Sequence, residues 1–483
     1  MRIVIGCFLL FLTTILWLQT PAIGQEADST FTQNQLSDTS KYHFIEIDKI
    51  FIVGNRKTKD IVIERELDLK EGNFYYKPEV EELIERNRQK LINLQLFLNV
   101  DISIVELSPN RMDVIVRLTE RWYFFPIPIL ELGDRNFSEW WINQNRDLSR
   151  LEYGMRLKQF NFRGMNETIS LTARFGFTRL FQMSYTRPAI DRRQRIGLQV
   201  FGEYSDNKTI AVNTENHRLN FVSSEEILRE RYRAGLAVSF RPTFYNFHIV
   251  SLFFNENRIN DTIALLNPNY LLDGRQQQKF VGLSYNFRRD FRDIQAYALK
   301  GHLIDATIIQ NGIGIFNDIR QTILTANYAK FFDLGKRWYL ANGMYGSISF
   351  PDVQPYRNLN GIGFNQAFMR GYDIYVIEGQ HVAMSNTTVK RQIFSSEKDL
   401  GRFAFARQFS KIPIDIYITA FYDQGFVANY INYEQNNLFT NQYLYGTGVG
   451  VDLVSFYDFV MRFEYSLNKA GETGLRFNIK AAF

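Results

Sequence analysis

From Trp122 to Phe483, apolar and polar residues alternate with a period of two, in segments of about ten residues. In IDIYITAFYDQG, Ile414, Ile416, Ile418, Ala420 and Tyr422 share one face, and Asp415, Tyr417, Thr419, Phe421 and Asp423 share the other. In LRFNIKAAF, Leu475, Phe477, Ile479, Ala481 and Phe483 oppose Arg476, Asn478, Lys480 and Ala482. LEYGMRLKQ, ETISLTARFGF and DFVMRFEYSLN repeat the theme. Period two is the geometry of a strand. A soluble β-sandwich also alternates, but its apolar face lines a thin core. Here the polar face carries Arg156, Lys158, Arg174, Arg462 and Glu464, long charged side chains suited to a wide hydrated interior. Apolar-out and polar-in is the pattern of a transmembrane antiparallel β-barrel, and the segments number about sixteen.

Upstream the spacing changes. FIEIDKIFIVGN alternates as a strand and stops at Gly54-Asn55, a turn signal. TKDIVIERELDL and KPEVEELIERNRQKLINLQLF read as helices. In the second, Val80, Leu83, Ile84, Asn87, Leu91 and Leu94 fall near one face, and Pro78 sits at a permitted helix start. LNVDISIVEL and RMDVIVRLTER follow as strands. Residues 43–121 are thus expected to form a small α/β unit of order β-α-α-β-β, ahead of a barrel spanning 122–483.

The first 24 residues carry Arg2, the apolar run Ile3–Leu18 and the small-residue site Ala22-Ile23-Gly24. This is the plan of a secretory signal cut before Gln25. Residues 25–42, polar and without periodicity, are expected to be a flexible leader. Cys7, the only cysteine, lies inside the signal, so the exported chain is held together without disulfides.

Strand parity orders the connections. With the first barrel strand running away from the α/β unit, the short turns DLGK and SFYD fall at the near end. The long stretches Asp206–Leu228, Asn257–Gln276 and Pro351–Glu378 fall at the far end. This holds if NKTIAVNTENHRLNFV is a loop and not an extra hairpin. Phe394–Lys411 is long for a near-end turn.

A formal charge of +5 with 22% charged residues implies no large single-sign field, and no nucleic-acid partner is expected. Phe and Tyr, at 43 and 26, suit the aromatic girdles of a membrane barrel. His43, His217, His248, His302 and His381 are scattered, without metal-ligand spacing, and no nucleophile elbow, Walker loop or dinucleotide fingerprint occurs. No catalytic residue, metal or cofactor is expected. The small residues within Tyr445–Val451 suggest room for a folded-in loop.

The segments IDKIFIVGNRKTKDIVIEREL, LINLQLFLNVDISI and MDVIVRLTER together resemble a POTRA domain. The strands YGMRLKQFNFRGMNETISLTARFG and YTRPAID resemble the opening of the BamA/TamA superfamily barrel, also called the bacterial surface antigen family. The resemblance implies an outer-membrane barrel with its POTRA domain in the periplasm. Its implied partners are membrane lipids, unfolded client polypeptides and subunits of an outer-membrane complex. In that family the sixth far-end loop folds into the barrel with an Arg-Gly-aromatic tip, matched here by Arg370, Gly371 and Tyr372. The arginine's family partner lies in a Phe-x-Asp-x-Gly strand, matched by Phe421, Asp423 and Gly425, and the alternation separately puts Asp423 on the polar face.

Two further groups are candidates. In RWYFFPIPILELG, Pro126 and Pro128 remove two backbone donors from one edge of the expected first strand. If that edge faces the last strand, the closing seam is weak and parts sideways, as the family's lateral gate implies. Glu472, Gly474, Phe477, Ile479 and Phe483 resemble the terminal signal by which barrels are recognised for insertion. The leading functional reading is a barrel that inserts or exports polypeptides. The alternatives are an accessory subunit of a larger complex and a passive solute channel. The terminal signal predicts that deleting Phe483 leaves exported protein in the periplasm, read by cell fractionation; normal insertion of the truncated chain would refute it.

Overall fold

The computed structural model describes residues 44–480, apart from 136, 138, 364–366, 400–410, 431–435 and 456–458. The expected signal, the leader and Phe483 lie outside the described residues. The first unit contains β1 (Phe44–Val53), α1 (Asp60–Glu64), β2 (Phe74–Tyr76), α2 (Lys77–Asn93), β3 (Phe97–Ser108) and β4 (Arg111–Glu120). Its sheet order is β2-β1-β4-β3, with β1 and β4 parallel. Ile45, Ile47, Val114 and Val116 bury one sheet face against Val80 and Leu91 of α2 and Ile63 of α1.

The element order therefore differs from the expected β-α-α-β-β in two places. The first helix is only five residues long; beyond Glu64 the buried apolar residues are Leu67 and Leu69, spaced for extended chain. The short β2 pairs antiparallel with β1. Three residues at a sheet edge, with Phe74 66% exposed, give no periodic signal.

The second unit opens with β5 (Phe124–Leu132), β6 (Leu151–Gln159), β7 (Thr168–Gly176), β8 (Arg179–Arg187) and β9 (Ile196–Asn207). Then come β10 (Thr209–Glu215), β11 (Arg218–Ser223), β12 (Arg229–Phe240), β13 (Asn246–Ile259), α3 (Asp261–Leu266), β14 (Gln277–Asp290), β15 (Gly301–Asn311), β16 (Gln321–Gly335) and β17 (Trp338–Phe350). The chain ends with β18 (Asn360–Ile362), β19 (Ile377–Gly379), β20 (His381–Asp399), β21 (Lys411–Ala428), β22 (Tyr443–Ser455), β23 (Val460–Asn468) and β24 (Thr473–Lys480). Sixteen of these strands, without β10, β11, β18 and β19, form one antiparallel sheet in sequence order from β5 to β24.

The alternation holds in the wall. In β21, Ile418 and Tyr422 are 48% and 44% exposed outward, whereas Tyr417, Thr419, Phe421 and Asp423 are all buried inside. The fold is a transmembrane β-barrel, and among the described residues no helix is long and apolar enough to cross a membrane.

The segment expected as a loop, 207–222, is in fact the β10–β11 hairpin. It pairs only with itself, so the wall still has sixteen strands. Its buried Ile210 and Val212 pack with Leu228, Ile263 of α3 and Tyr270 inside the barrel. That packing supplies the second apolar surface an isolated hairpin lacks. Much of Phe394–Lys411 is not turn, since β20 runs to Asp399 and β21 starts at Lys411.

The small domain docks on the near-end turns. Arg241, in the β12–β13 turn, places two nitrogens on the buried Glu66 carboxylate at 2.6 and 2.9 Å. Lys59 N–H donates to Gly164 O in the β6–β7 turn, 2.9 Å away. A Cβ on Gly164 would meet Lys57 O at 2.1 Å. Glu66→Ala would strand the Arg241 guanidinium, and losing one partner of such a pair costs about 3–5 kcal/mol. The variant should expose the docked β1–α1 loop to faster trypsin cleavage at Lys57 and Lys59. An unchanged cleavage rate would mean that the dock does not depend on this pair.

Candidate functional site

The loop between β17 and β20 is the sixth far-end connection, and it folds back into the barrel. Its apolar side chains seat it there. Ile362, Met369, Tyr372 and Ile377 are buried against Val427, Phe439 and Leu444. This packing carries Arg370 to the inner wall. There Arg370 Nε donates to Asp423 Oδ2 at 2.8 Å, and the Arg370 backbone N–H donates to the same oxygen at 3.1 Å. The guanidinium also reaches Thr388 Oγ1 at 3.1 Å and Glu464 Oε1 at 3.3 Å, and stacks 3.8 Å from the Phe421 ring centroid. Asp423 is fully buried.

Three glycines make the approach possible. Gly371, at φ +90°, turns the tip against Asn468, whose side-chain amide donates to Gly371 O at 2.9 Å. A Cβ on Gly446 of β22 would stand 2.0 Å from Arg370 O. Gly425 faces Ile362 and Met369 at Cβ distances of 3.2 and 3.3 Å. Tyr372 donates its hydroxyl to Tyr445 O at 3.1 Å.

The arrangement is larger than an Arg–Asp pair. Arg476 of β24 lies 3.5 Å from both Asp373 and Glu464 and stacks on Phe368. Burial raises the Asp373 carboxyl from its ordinary value, against the pull of Arg476. Strand alternation puts Glu464 and Arg476 on the polar face, but only the fold of the loop brings Asp373 to them. Arg135, in the β5–β6 loop, donates to Gly363 O and Tyr375 O at 3.2 and 2.9 Å. Nothing in its sequence neighbourhood marks that role. The sixth loop therefore contacts the first and the last strand regions at once.

It also meets the inner hairpin. Val376 N–H donates to His217 O at 2.7 Å, and Thr214 donates to Glu378. Burial pushes the Glu378 carboxyl up to about 7, against the Thr214 hydrogen bond. Burial likewise holds the His217 imidazole down to about 4.

The edge strands β5 and β24 stand at the two ends of the sheet order, and no ladder joins them among the described residues. The hydrogen-bond phase of β5 follows from its ends. Phe160 N–H donates to Tyr123 O, and Gly133 N–H to Arg150 O, each at 2.7 Å. Odd-numbered residues therefore address β6, and even-numbered ones address the open edge. Pro126 and Pro128 are even-numbered, opposite Leu157 and Met155 of β6. Their missing donors lie on the open edge.

Of the terminal group, Gly474 and Phe477 lie in β24, with the Phe477 ring 4.8 Å from Phe463. Ile479 continues the strand. Glu472 precedes it and accepts from the Tyr375 hydroxyl at 2.6 Å, an attachment to the sixth loop that sequence alone does not reveal.

Two family models match the chain. The POTRA model, described as a surface antigen variable number repeat, matches residues 45–121. The Omp85 superfamily domain matches residues 161–483. Among solved structures, CdiB from Escherichia coli superposes with a TM-score of 0.54 at 12% identity, covering 91% of this chain and 76% of that one. CdiB from Acinetobacter baumannii gives 0.50 at 15%, covering 90% and 74%. BamA from Haemophilus ducreyi lacking POTRA domains 1–3 gives 0.49 at 16%, covering 90% and 84%. No curated protein matches.

The geometry generates an unequal double-mutant cycle. Arg370→Ala leaves Asp423 buried without its cation and should cost about 3–5 kcal/mol. Asp423→Ala should cost less, because Glu464 remains beside the guanidinium. The double variant should lose less than the sum. Urea titration of the folded, heat-modifiable form on gels measures all three, and strictly additive losses would count against the coupling.

Proposed function

The chain belongs to the Omp85 superfamily, and on that premise we propose that it inserts or exports client polypeptides at the outer membrane, with its POTRA domain in the periplasm. Members of the family are outer-membrane assembly and translocation barrels. The observation that carries the reading is that β5 and β24 end the sheet order with no ladder between them among the described residues. The end of a sheet is the place at which another strand adds. Pro126 and Pro128 weaken closure of that edge on itself, since each hydrogen bond forgone is worth about 0.5–1.5 kcal/mol net.

The remaining site residues have roles in this scheme. Arg370, Gly371 and Tyr372 lock the sixth loop to the wall strand carrying Phe421, Asp423 and Gly425. Arg135 and Arg476 tie the locked loop to both sides of the seam, so the lock sets how far the edges separate. The POTRA sheet has its own free edge at β3, where Val105 and Leu107 are 43% and 52% exposed. That edge suits an extended client arriving from the periplasm. Membrane lipids contact the outward apolar belt. Gly474, Phe477, Ile479 and Phe483 act earlier, in the insertion of the chain itself. No step requires a catalytic group or cofactor.

The interior counts against a passive solute channel, because the β10–β11 hairpin and the sixth loop meet within it. The accessory-subunit reading differs only in whether this barrel handles clients itself.

Cysteine pairs scanned along Phe124–Leu132 and Thr473–Lys480 test the proposal, since Cys7 is the only native cysteine. Oxidation of a pair that crosslinks should stop client insertion or export, and reduction should restore it. If a locked seam leaves client handling untouched, lateral opening is not the mechanism.

A further inference from the structure

A cavity of about 550 Å³ lies inside the barrel, between the wall strands β9 and β12 to β16, the β5–β6 loop, the β10–β11 hairpin and the 3₁₀ turn Tyr356–Asn358 of the sixth loop. Arg229, Arg231 and Arg233 line it from alternate positions of β12. A strand rise near 3.4 Å spaces such a row about 7 Å apart. Arg357 enters from the sixth loop. Five guanidinium groups, counting Arg135 of the β5–β6 loop, thus line one cavity, together with the carboxylates of Asp134 and Glu139.

The two acids of the lining are taken by other cations, Asp134 by Arg150 and Glu139 by Arg135, and the strand neighbours of the β12 row supply little charge. Directly across the sheet, Arg229 meets Asn207 and Ile259, Arg231 meets Ser205 and Asn257, and Arg233 meets Glu203 and Asn255. Opposite charges across a ladder would stabilise it, yet only Glu203 is acidic, and it lies 3.5 Å from Arg231. Arg229 donates to the neutral Asn207 amide at 2.6 Å. Arg233 sits over the Phe201 and Phe253 rings, 5.3 Å from each centroid. Among the described residues, Arg229, Arg233 and Arg357 have no carboxylate within 4.0 Å. The buried Arg357 Nε has no hydrogen-bond partner. The Arg229 guanidinium, together with burial, pushes Arg357 down to about 10. Elsewhere in the interior, Arg370 and Arg476 each have acids at hand, so this cluster is not simply how the barrel treats arginine.

We propose that this cavity binds a phosphoryl group. Guanidinium forks match the oxygens of a multivalent oxyanion bidentately and lose little hydration in doing so. The volume falls within the range of small-molecule sites, about 300–1,000 Å³, and leaves room for more than the anion alone. Asn255, Asn257 and Asn311 add amide groups to its wall. Because Arg357 belongs to the sixth loop and Arg229 to the wall, a bound phosphoryl group fastens the loop at a second point, distant in sequence from Arg370. The phosphoryl group comes either on a free phosphate ester or on a lipid headgroup entering by the seam.

The test uses the full chain in phosphatidylcholine nanodiscs and the Arg229→Gln/Arg357→Gln variant, with Lys300→Gln, outside the cavity, as control. Sodium pyrophosphate binding is measured by calorimetry at matched ionic strength. Retained phosphatidylglycerol is counted by native mass spectrometry after doping the discs. Losing two charge-assisted contacts should weaken pyrophosphate binding about tenfold or more, or remove the retained phosphatidylglycerol, while Lys300→Gln behaves as wild type. Loss in the first arm identifies a free phosphate ester, and loss in the second a lipid headgroup. The double variant relieves like-charge crowding, so its urea midpoint should be unchanged or higher, which separates lost binding from unfolding. Equal behaviour of wild type and double variant in both arms, including no binding by either, overturns the proposal.

Discussion

The interior of this barrel is organised by one buried ion pair, Arg370 on Asp423. A guanidinium brought out of bulk water must find a carboxylate or stay outside. Asp423 is fully buried, and that requirement pulls a loop of some thirty residues back through the far-end mouth. The fit is close: Gly446 has no room for a Cβ beneath Arg370 O, and Gly371 must adopt φ +90°. Once the tip is seated, its neighbours in sequence have defined positions. Asp373 reaches Arg476, Tyr375 reaches Glu472, and Glu378 reaches Thr214 of the inner hairpin.

The seam makes that arrangement mechanical. Strands β5 and β24 hold their sequence neighbours by regular ladders and have no described ladder with each other. Side chains of the sixth loop's surroundings reach both strand regions. Arg135 binds sixth-loop carbonyl groups beyond β5, and Arg476 binds Asp373 from β24. The docked POTRA domain bears on the opposite end through Glu66 and Arg241, so the two ends of the molecule are joined by a stiff wall.

The hairpin and sixth loop are also what make a wide barrel packable. The lumen of sixteen strands is too broad for wall side chains to fill. Ile210 and Val212 of the hairpin, with Tyr270 and Ile263, and the Met369–Tyr372 cluster of the sixth loop form separate apolar cores inside it. Charged groups occupy the spaces between these cores.

A period of two residues is a local property of the chain, and it was enough to determine the strands, their number, their inward and outward faces and the ends at which the loops emerge. It put Asp423, Glu464 and Arg476 on the polar face before any partner was known. The match of Arg370-Gly371-Tyr372 to Phe421-x-Asp423-x-Gly425 named the pair, but not its setting. What the period did not reach was anything carried by too few residues or by chain crossing itself in space. The edge strand β2 is three residues long. Residues 209–223, expected as a loop, form a hairpin that pairs only with itself, and its packing partners Leu228, Ile263 and Tyr270 lie outside the segment. Arg135, Asp373 and Arg357 look like solvated loop charges in sequence. Tertiary structure alone decided their roles, because a buried charge takes its character from whichever group the fold sets opposite it, and that group lies far away along the chain.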